Sequence, residues 1–380
     1  MRQTGRRTTI ADVAKAASVS KAAVSFAFNA PERLNAETAS RIRAIAAELH
    51  YRPDPVARML AARRTETIGI LTPQALDVVF PNPYFGSFTA GVAAAAESAG
   101  YSLQFISPVR GSLIRAVHQA TVDGFIAYGL SADHPEIDQV RRSGIPFVLV
   151  DSTALPEELS VSVDDEIGAR SAAEYLIELG HRSFAILAFE PPLHATSDLA
   201  PAVGNAGGGA GHGSAARYWT TADDAAARRM RGYVAALDGA GIDVPPGAIA
   251  SMPSTLEAGA TAFRRLYDDG QRPTAVLAMS DALAIGVIRA ARDLGIHVPR
   301  DVSVVGFDDI DVAAFTDPPL TTIHQPGRSK GEAAMRILLS RLEGGDAHDS
   351  PHWRLETRLI VRGSTGPAAI NRQEVASTES

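Results

Sequence analysis

The chain of 380 residues contains no cysteine. Disulfide and thiol chemistry are therefore excluded, and secretion is not suggested. No apolar run approaches transmembrane length, and Met1-Arg2-Gln3-Thr4-Gly5-Arg6-Arg7 leads into polar sequence rather than a signal-peptide core, so a cytoplasmic protein without membrane partners is expected. Catalytic signatures are also missing: there is no dinucleotide fingerprint, no phosphate loop, no H-E-x-x-H and no G-x-S-x-G elbow. Nothing calls for an enzyme, a cofactor or a metal.

What is present is unevenly distributed. The net charge of −7 conceals two halves of opposite sign: residues 1–64 hold 12 Lys and Arg against 5 acids, a net +7, while the remainder holds 24 against 38, a net −14. Anion binding is thereby confined to the start of the chain, with an affinity that falls steeply as salt rises. At 46% hydrophobic residues the rest is long enough to bury a sizeable core.

The basic segment has a helical pattern. Thr9 and Asp12 are spaced as a capping box, and Ile10, Val13, Ala14 and Ala17 share one helical face. Ser18-Val19 breaks that pattern, Ser20 offers a second N-cap, and Lys21 to Phe28 reads as a second helix that packs through Val24, Ala27 and Phe28. Two short helices across a tight turn predict a helix-turn-helix, with Ala14 and Val24 at the close crossing. A third helix, capped by Asn35 and carrying Ile42, Ile45, Ala46 and Leu49, closes a small core. In the following Tyr51-Arg52-Pro53-Asp54-Pro55-Val56-Ala57-Arg58-Met59-Leu60, Asp54 suits an N-cap and Pro55 the first helical position. About two turns fit before Arg63-Arg64, and an isolated helix that short is marginal in water, so a hinge helix that forms on a partner is expected.

The remainder alternates strand and helix. Strands are predicted at Ile68–Thr72, Ser102–Ile106, Gly124–Tyr128, Phe147–Val150, Ala185–Phe189, Ala248–Met252, Ala275–Met279 and Ser303–Phe307, with helices between them. This alternation implies parallel sheets with helices on both faces, arranged as two lobes with a cleft at the strand carboxyl ends. Between Glu190 and Asp224 lies an insertion containing Gly207-Gly208-Gly209-Ala210-Gly211-His212-Gly213, which reads as a flexible surface loop and, near a cleft mouth, a possible lid.

The run from Thr9 to Leu60, continuing into Arg64-Thr65-Glu66-Thr67-Ile68-Gly69-Ile70, resembles the lactose/galactose repressor (LacI/GalR) family of bacterial transcription regulators. The likeness extends through Val122-Asp123-Gly124-Phe125-Ile126, Gly144-Ile145-Pro146, Leu179-Gly180-His181-Arg182, Arg229-Met230-Arg231-Gly232-Tyr233, Ser280-Asp281-Ala282-Leu283-Ala284-Ile285-Gly286 and Val304-Val305-Gly306-Phe307-Asp308-Asp309. It implies an N-terminal all-α helix-turn-helix head (1–52), a hinge helix and linker (53–65), an α/β two-lobed periplasmic-binding-protein-like core for effector binding and dimerisation (66–363, insertion at 190–224) and a disordered tail (364–380). By the same resemblance Leu320 to Ile323 is the segment returning to the first lobe, and Pro326 to Glu343 a final helix.

The resemblance also implies site residues. For DNA, Lys21, Ala22 and Phe26 occupy the exposed part of the recognition helix, Lys21 reaching a guanine edge or a phosphate, while Ala22 and Ala23 admit thymine methyls. Ser20, Ser25 and Asn29 are phosphate contacts, Leu60 with Met59 is a minor-groove wedge, and Thr9, Tyr51 and Arg58 belong to the same interface. Phe26 departs from the polar or basic side chain frequent at its position, leaving open an apolar base contact or a place in the head's core. For an effector, Asp281 is the leading candidate, with N-capping of its helix as the alternative role. Arg229 matches a ligand-binding arginine, and Asp151 and Phe85 are weaker candidates, Phe85 serving equally well in the core. Ser280 stands where asparagine is usual, Ser18 where the turn glycine is usual, and no aromatic occurs near Met252-Pro253-Ser254.

The expected function is a sequence-specific DNA-binding repressor. It would bind a palindromic double-stranded operator as a homodimer and respond to a small-molecule effector, a carbohydrate, in the interlobe cleft. The alternatives are a sugar-binding sensor of the same core fold, a corepressor-dependent regulator using another ligand, and an enzyme on a doubly wound fold.

Overall fold

The computed structural model describes residues 8–53, 64–130, 132, 134–152, 154–189, 224–345 and 351–368. The chain divides into two compact units, Met1–Thr65 and Glu66–Ser380.

In the first unit, α1 (Ile10–Ala16) begins with the full capping box: the Thr9 side chain accepts from the Asp12 amide, and the Thr9 amide donates back to the Asp12 carboxylate. It ends in a Schellman turn, because the Val19 amide reaches back to Ala14 O at 3.0 Å and Ser18 adopts a left-handed φ of 53°. Ser20 then caps α2 (Lys21–Asn29), and Asn35 caps α3 (Ala36–Glu48) after a single 3-10 turn, Pro31–Arg33. Val13, Ala14, Ala17, Val24, Ala27, Ile42 and Ala46 form one buried core. Arg41 ties the third helix to the first by donating to Ala17 O. Residues 54–63 lie outside the described residues, and with them the expected hinge helix, Arg58, Met59 and Leu60.

The second unit contains two six-stranded sheets. The first has the order β11-β5-β4-β3-β1-β2, formed by β1 (Thr67–Leu71), β2 (Ser102–Ile106), β3 (Gly124–Tyr128), β4 (Phe147–Val150), β5 (Leu159–Val163) and β11 (His352–Leu355), all parallel. The second has the order β12-β10-β9-β8-β6-β7, from β6 (Phe184–Phe189), β7 (Ile249–Met252), β8 (Ala275–Ala278), β9 (Ser303–Asp308), β10 (Thr321–His324) and β12 (Arg358–Ile360), parallel except for the β10–β12 pair. Strands this apolar need cover on both faces. The first sheet has α4 (Leu76–Val79), α5 (Pro83–Ser98), α6 (Leu113–Gln119), α7 (Pro135–Ser143) and α12 (Gly327–Leu342). The second has α8 (Asp165–Glu178), α9 (Ala225–Gly239), α10 (Leu256–Asp268) and α11 (Asp281–Asp293). Helices α5 and α12 touch backbone to backbone: a Cβ on Gly331 would lie 2.1 Å from Phe88 O, so only glycine fits.

Among the described residues the chain passes between lobes after β5, after β10 and between β11 and β12. Two expectations are corrected here. Leu320 to Ile323 is not the segment returning to the first lobe: Thr321–His324 pairs with β9 as a parallel strand of the second sheet, and the return follows at Gln325-Pro326. The tail does not begin at Ser364, whose fully buried hydroxyl accepts from the Thr321 amide and donates to Val304 O, while the Ala368 amide reaches Leu179 O. A polar C-terminal sequence gives no hint of such partners, because what holds it are backbone groups at the starts of β9 and β10 and at the end of α8. β5, β10, β11, β12 and α7 were likewise not foreseen as elements: LSVSV and HWRL are too short and polar to stand out. Residues 190–223 lie outside the described residues, so the insertion enters only through Asp224, which caps α9. Among the described residues no helix is long and apolar enough to cross a membrane.

Candidate functional site

Two regions gather the chemistry. The first is the outer face of α2. Lys21 and Ala22 are exposed, Ala23, Ser25 and Phe26 half-buried, and Asn29 exposed, a spacing that puts Lys21, Ala22, Ser25, Phe26 and Asn29 on one side of the helix while Val24 and Ala27 face the core. The Ser20 hydroxyl accepts from the Ala23 amide at 3.1 Å, and Asn29 donates to Ser25 Oγ at 3.3 Å. Thr9 is exposed within its capping box. Tyr51 instead leans on the head's core, its ring edge-on to Phe28 at 6.0 Å between centroids. Phe26 is absent from that core, and the Arg33 guanidinium lies over its ring, 5.4 Å from the centroid.

The second region lies where the two lobes meet. Residues Ser152, after β4, and Asp224, before α9, form an isolated antiparallel bridge, and Tyr84 of α5 joins the buried apolar cluster of the other lobe. Arg229, on α9 and almost fully buried, donates from Nε to Asp165 Oδ1 at 2.8 Å and from Nη1 to Met279 O at 2.5 Å. Its Cζ lies 3.5 Å from the centroid of Phe307 and 5.1 Å from that of Phe189. Burial alone pushes the guanidinium pKa down, but the carboxylates of Asp165 and Asp308 reverse the shift, so the charge is fixed.

Asp308 ends β9 with a φ of 125°, accepts from Gln325 Nε2 at 2.5 Å, and sits 3.7 Å from Arg229 Nη1. Burial raises its pKa to about 6 against the opposing pull of Arg229. From Gln325 the chain of contacts enters the first lobe: the buried Lys330 ammonium donates to Gln325 Oε1 at 2.9 Å and to Asp151 Oδ1 at 2.6 Å. Lys330 Nζ also lies 5.1 Å from the Tyr84 ring centroid. Burial first, and then the Asp151 carboxylate, lift the pKa values of Tyr84 and Tyr128. The buried Tyr84 hydroxyl has no hydrogen-bond partner among the described residues. An unsatisfied buried hydroxyl costs free energy until something bonds it.

Of the residues singled out in the sequence, Arg229 and Asp151 belong to this cluster. Asp281 does not cap its helix, since that role falls to Ser280, whose hydroxyl accepts from the Leu283 amide. Asp281 is fully buried, and both its oxygens are engaged by the protein, Oδ1 by Thr322 Oγ1 at 2.5 Å and Oδ2 by the Ile310 amide at 2.9 Å. Burial, and then the Asp308 charge, raise its pKa. Gly306 makes room for it, because a Cβ there would lie 2.2 Å from Asp281 Oδ1. Phe85 is fully buried among Phe80, Phe88, Phe105 and Tyr128, in the core of the first lobe rather than facing the cleft. Tyr84, Asp165, Asp308, Gln325 and Lys330 were missed. Asp308 carried the signal used for Asp281, a carboxylate at a strand end; Lys330 carried none, since a lysine on an amphipathic helix reads as solvated.

The comparisons agree over nearly all of the chain. Residues 9–54 match the model for bacterial regulatory proteins of the lacI family, residues 65–198 that for periplasmic binding proteins and the sugar binding domain of the LacI family, and residues 173–365 that for a periplasmic binding protein-like domain. The chain is 32% identical to the HTH-type transcriptional repressor CytR of Escherichia coli (strain K12), over 94% of this chain and 96% of that protein. It is also 32% identical to the HTH-type transcriptional regulator Rv3575c of Mycobacterium tuberculosis (strain ATCC 25618 / H37Rv), over 96% and 98%. Among solved structures, a CelR–cellobiose complex matches at 28% identity and a TM-score of 0.64, over 94% of this chain and 100% of that one. The lac repressor dimer bound to operator and the anti-inducer ONPF shares the fold at a TM-score of 0.75 and 24% identity, over 95% and 100%.

Proposed function

Because the chain belongs to the lacI family of bacterial regulatory proteins, transcriptional regulators and not enzymes, we propose that it is a repressor that binds a palindromic operator as a homodimer and releases or grips it according to a carbohydrate in the interlobe cleft. The observation that carries the effector half is the unsatisfied Tyr84 hydroxyl, buried beside Asp151, Asp308 and Arg229 at the lobe boundary. Carboxylates accept from vicinal hydroxyls, a guanidinium and an ammonium donate to ring and hydroxyl oxygens, and aromatic faces cover the apolar side of a sugar ring. The CelR–cellobiose complex supports the same ligand class. In this reading Arg229, Asp308, Asp151 and Tyr84 contact the ligand, and Asp281 holds the Ile310 amide and Thr322 in place behind them.

The operator half rests on the outer face of α2, with Lys21, Ala22 and Ala23 near base edges, Ser20, Ser25 and Asn29 on phosphates, and Leu60 with Met59 as the minor-groove wedge. Residues 1–52 form the head, 53–65 the hinge, and the core runs from 66 to 368. A two-fold dimer sets the palindrome, and the lobe angle biases the hinge, with a coupling of about 1–3 kcal/mol typical of such systems. The deciding experiment selects from random duplex pools at two salt concentrations, with Leu60→Ala in parallel and sugars added afterwards. A palindrome enriched with steep salt dependence, bound more weakly by the variant and shifted by a sugar such as cellobiose, is expected. No enrichment with or without sugars would overturn the reading.

A further inference from the structure

Among the described residues, Arg33 is the cation beside the recognition helix that lies over an aromatic ring. Arg41 is engaged on Ala17 O, whereas Arg33 is exposed, makes no ion pair or hydrogen bond among the described residues, and has one partner, the face of Phe26. The two come from different elements. Phe26 sits one turn beyond Ala22 on the same side of α2, and Arg33 closes the 3-10 turn that follows that helix. An aromatic ring there, where a polar or basic side chain is frequent, would deprive the helix of a donor. The turn returns one: its guanidinium lies over the ring, 5.4 Å from the centroid, while its N–H groups make no hydrogen bond among the described residues.

We propose that Phe26 and Arg33 read the operator as one unit, the ring touching the C5-methyl of a thymine in each half-site and the guanidinium above it gripping the neighbouring phosphate. This rests on the DNA-binding reading above and names two contacts within it. The division of roles follows from chemistry. A phenyl face has nothing to offer a base edge except apolar contact, for which the thymine methyl is the major-groove partner. A guanidinium beyond the carboxyl end of a recognition helix is placed for backbone rather than base edges, and a planar fork matches a phosphate. The unit therefore specifies sequence through Phe26 and adds salt-dependent affinity through Arg33.

The test uses the full chain and its selected operator, with each thymine of a half-site replaced in turn by deoxyuridine, which removes only the methyl group. Wild type should lose several-fold in affinity at one thymine position. Phe26→Ala should bind natural and substituted operators equally, while Phe26→Leu, which keeps an apolar contact and removes the ring, should retain methyl sensitivity. Arg33→Ala should keep methyl sensitivity but lower the slope of log affinity against log salt by about 0.9 for each head. Phe26→Leu should show part of that same loss. Circular dichroism on each variant checks that the helices persist, and Arg33→Ala, altering an exposed side chain, keeps the test open should Phe26→Ala unfold the head. If wild type is indifferent to every deoxyuridine, or Arg33→Ala leaves the salt slope unchanged, the unit does not exist although the repressor reading stands. If wild type selects no operator, both fall together.

Discussion

The head and the cleft hold their positive charges in opposite ways. On α2 and the turn after it, Lys21 and Arg33 are exposed and make no ion pair among the described residues. In the cleft, Arg229 and Lys330 are buried and bonded to Asp165, Met279 O, Asp151 and Gln325. Exposed charge in high dielectric contributes little to stability and remains available to phosphates. Buried charge is costly unless it is matched, and once matched it fixes the geometry of everything around it. One chain thus carries exposed charge on its head and buried, matched charge between its lobes.

The largest effect that would test this contrast is expected from Arg229→Ala. Its removal leaves Asp165 with the longer 3.4 Å contact from Arg228 Nε and Asp308 without its nearest cation, in a buried site, and urea unfolding should report a loss of about 3–5 kcal/mol. Lys21→Ala should change stability by less than about 0.5 kcal/mol while lowering the salt slope of DNA binding by about 0.9 per head. Equal stability losses for the two variants would abolish the distinction.

A smaller effect concerns pH. Asp308 has a pKa raised to about 6, and Asp281 is raised with it, so the folded state binds more protons than the unfolded chain between about pH 4 and pH 6. Stability from Asp308 is therefore fully present below the unfolded carboxyl pKa and is lost as pH rises through about 6, by an amount on the order of 3 kcal/mol. In Asp308→Asn the corresponding fall in unfolding free energy between pH 4 and pH 7 should be flattened relative to wild type. A steeper fall in the variant would show that another group controls the titration.

The smallest change sharpens the head. Ser18 holds a left-handed φ of 53° without the advantage of glycine. Ser18→Gly should relieve about 1 kcal/mol, seen as slower hydrogen exchange of the α1 and α2 amides in the full chain. Faster exchange would mean that the Ser18 side chain contributes more than its backbone strain costs.

How much of this was legible depended on the range of the interactions involved. The capping box of Thr9 and Asp12, the N-caps of Ser20 and Asn35 and the core of Val13, Val24 and Ile42 are local patterns, and the structure reproduces them. The eight strands read from the sequence are present within about a residue of their expected ends; the central ones are apolar because both their faces are buried, whereas the edge strand β2 alternates exposed and half-buried residues. Phe85 could be assigned either to cleft or core from its residue type, and only the neighbouring rings of Phe88 and Tyr128 put it in the core.

By itself, the sequence determined a basic helical head joined to an acidic body of alternating strands and helices, and it determined the family, since these follow from neighbours three or four residues apart and from ordered motifs. The tertiary structure decided which lobe each late strand joins and which charges meet. The Asp151–Lys330 contact spans 179 residues, and Asp281 is drawn inward by Thr322, 41 residues away. Such pairings leave no trace in local composition, because a buried lysine and a solvated one are the same letter until the fold supplies the carboxylate opposite.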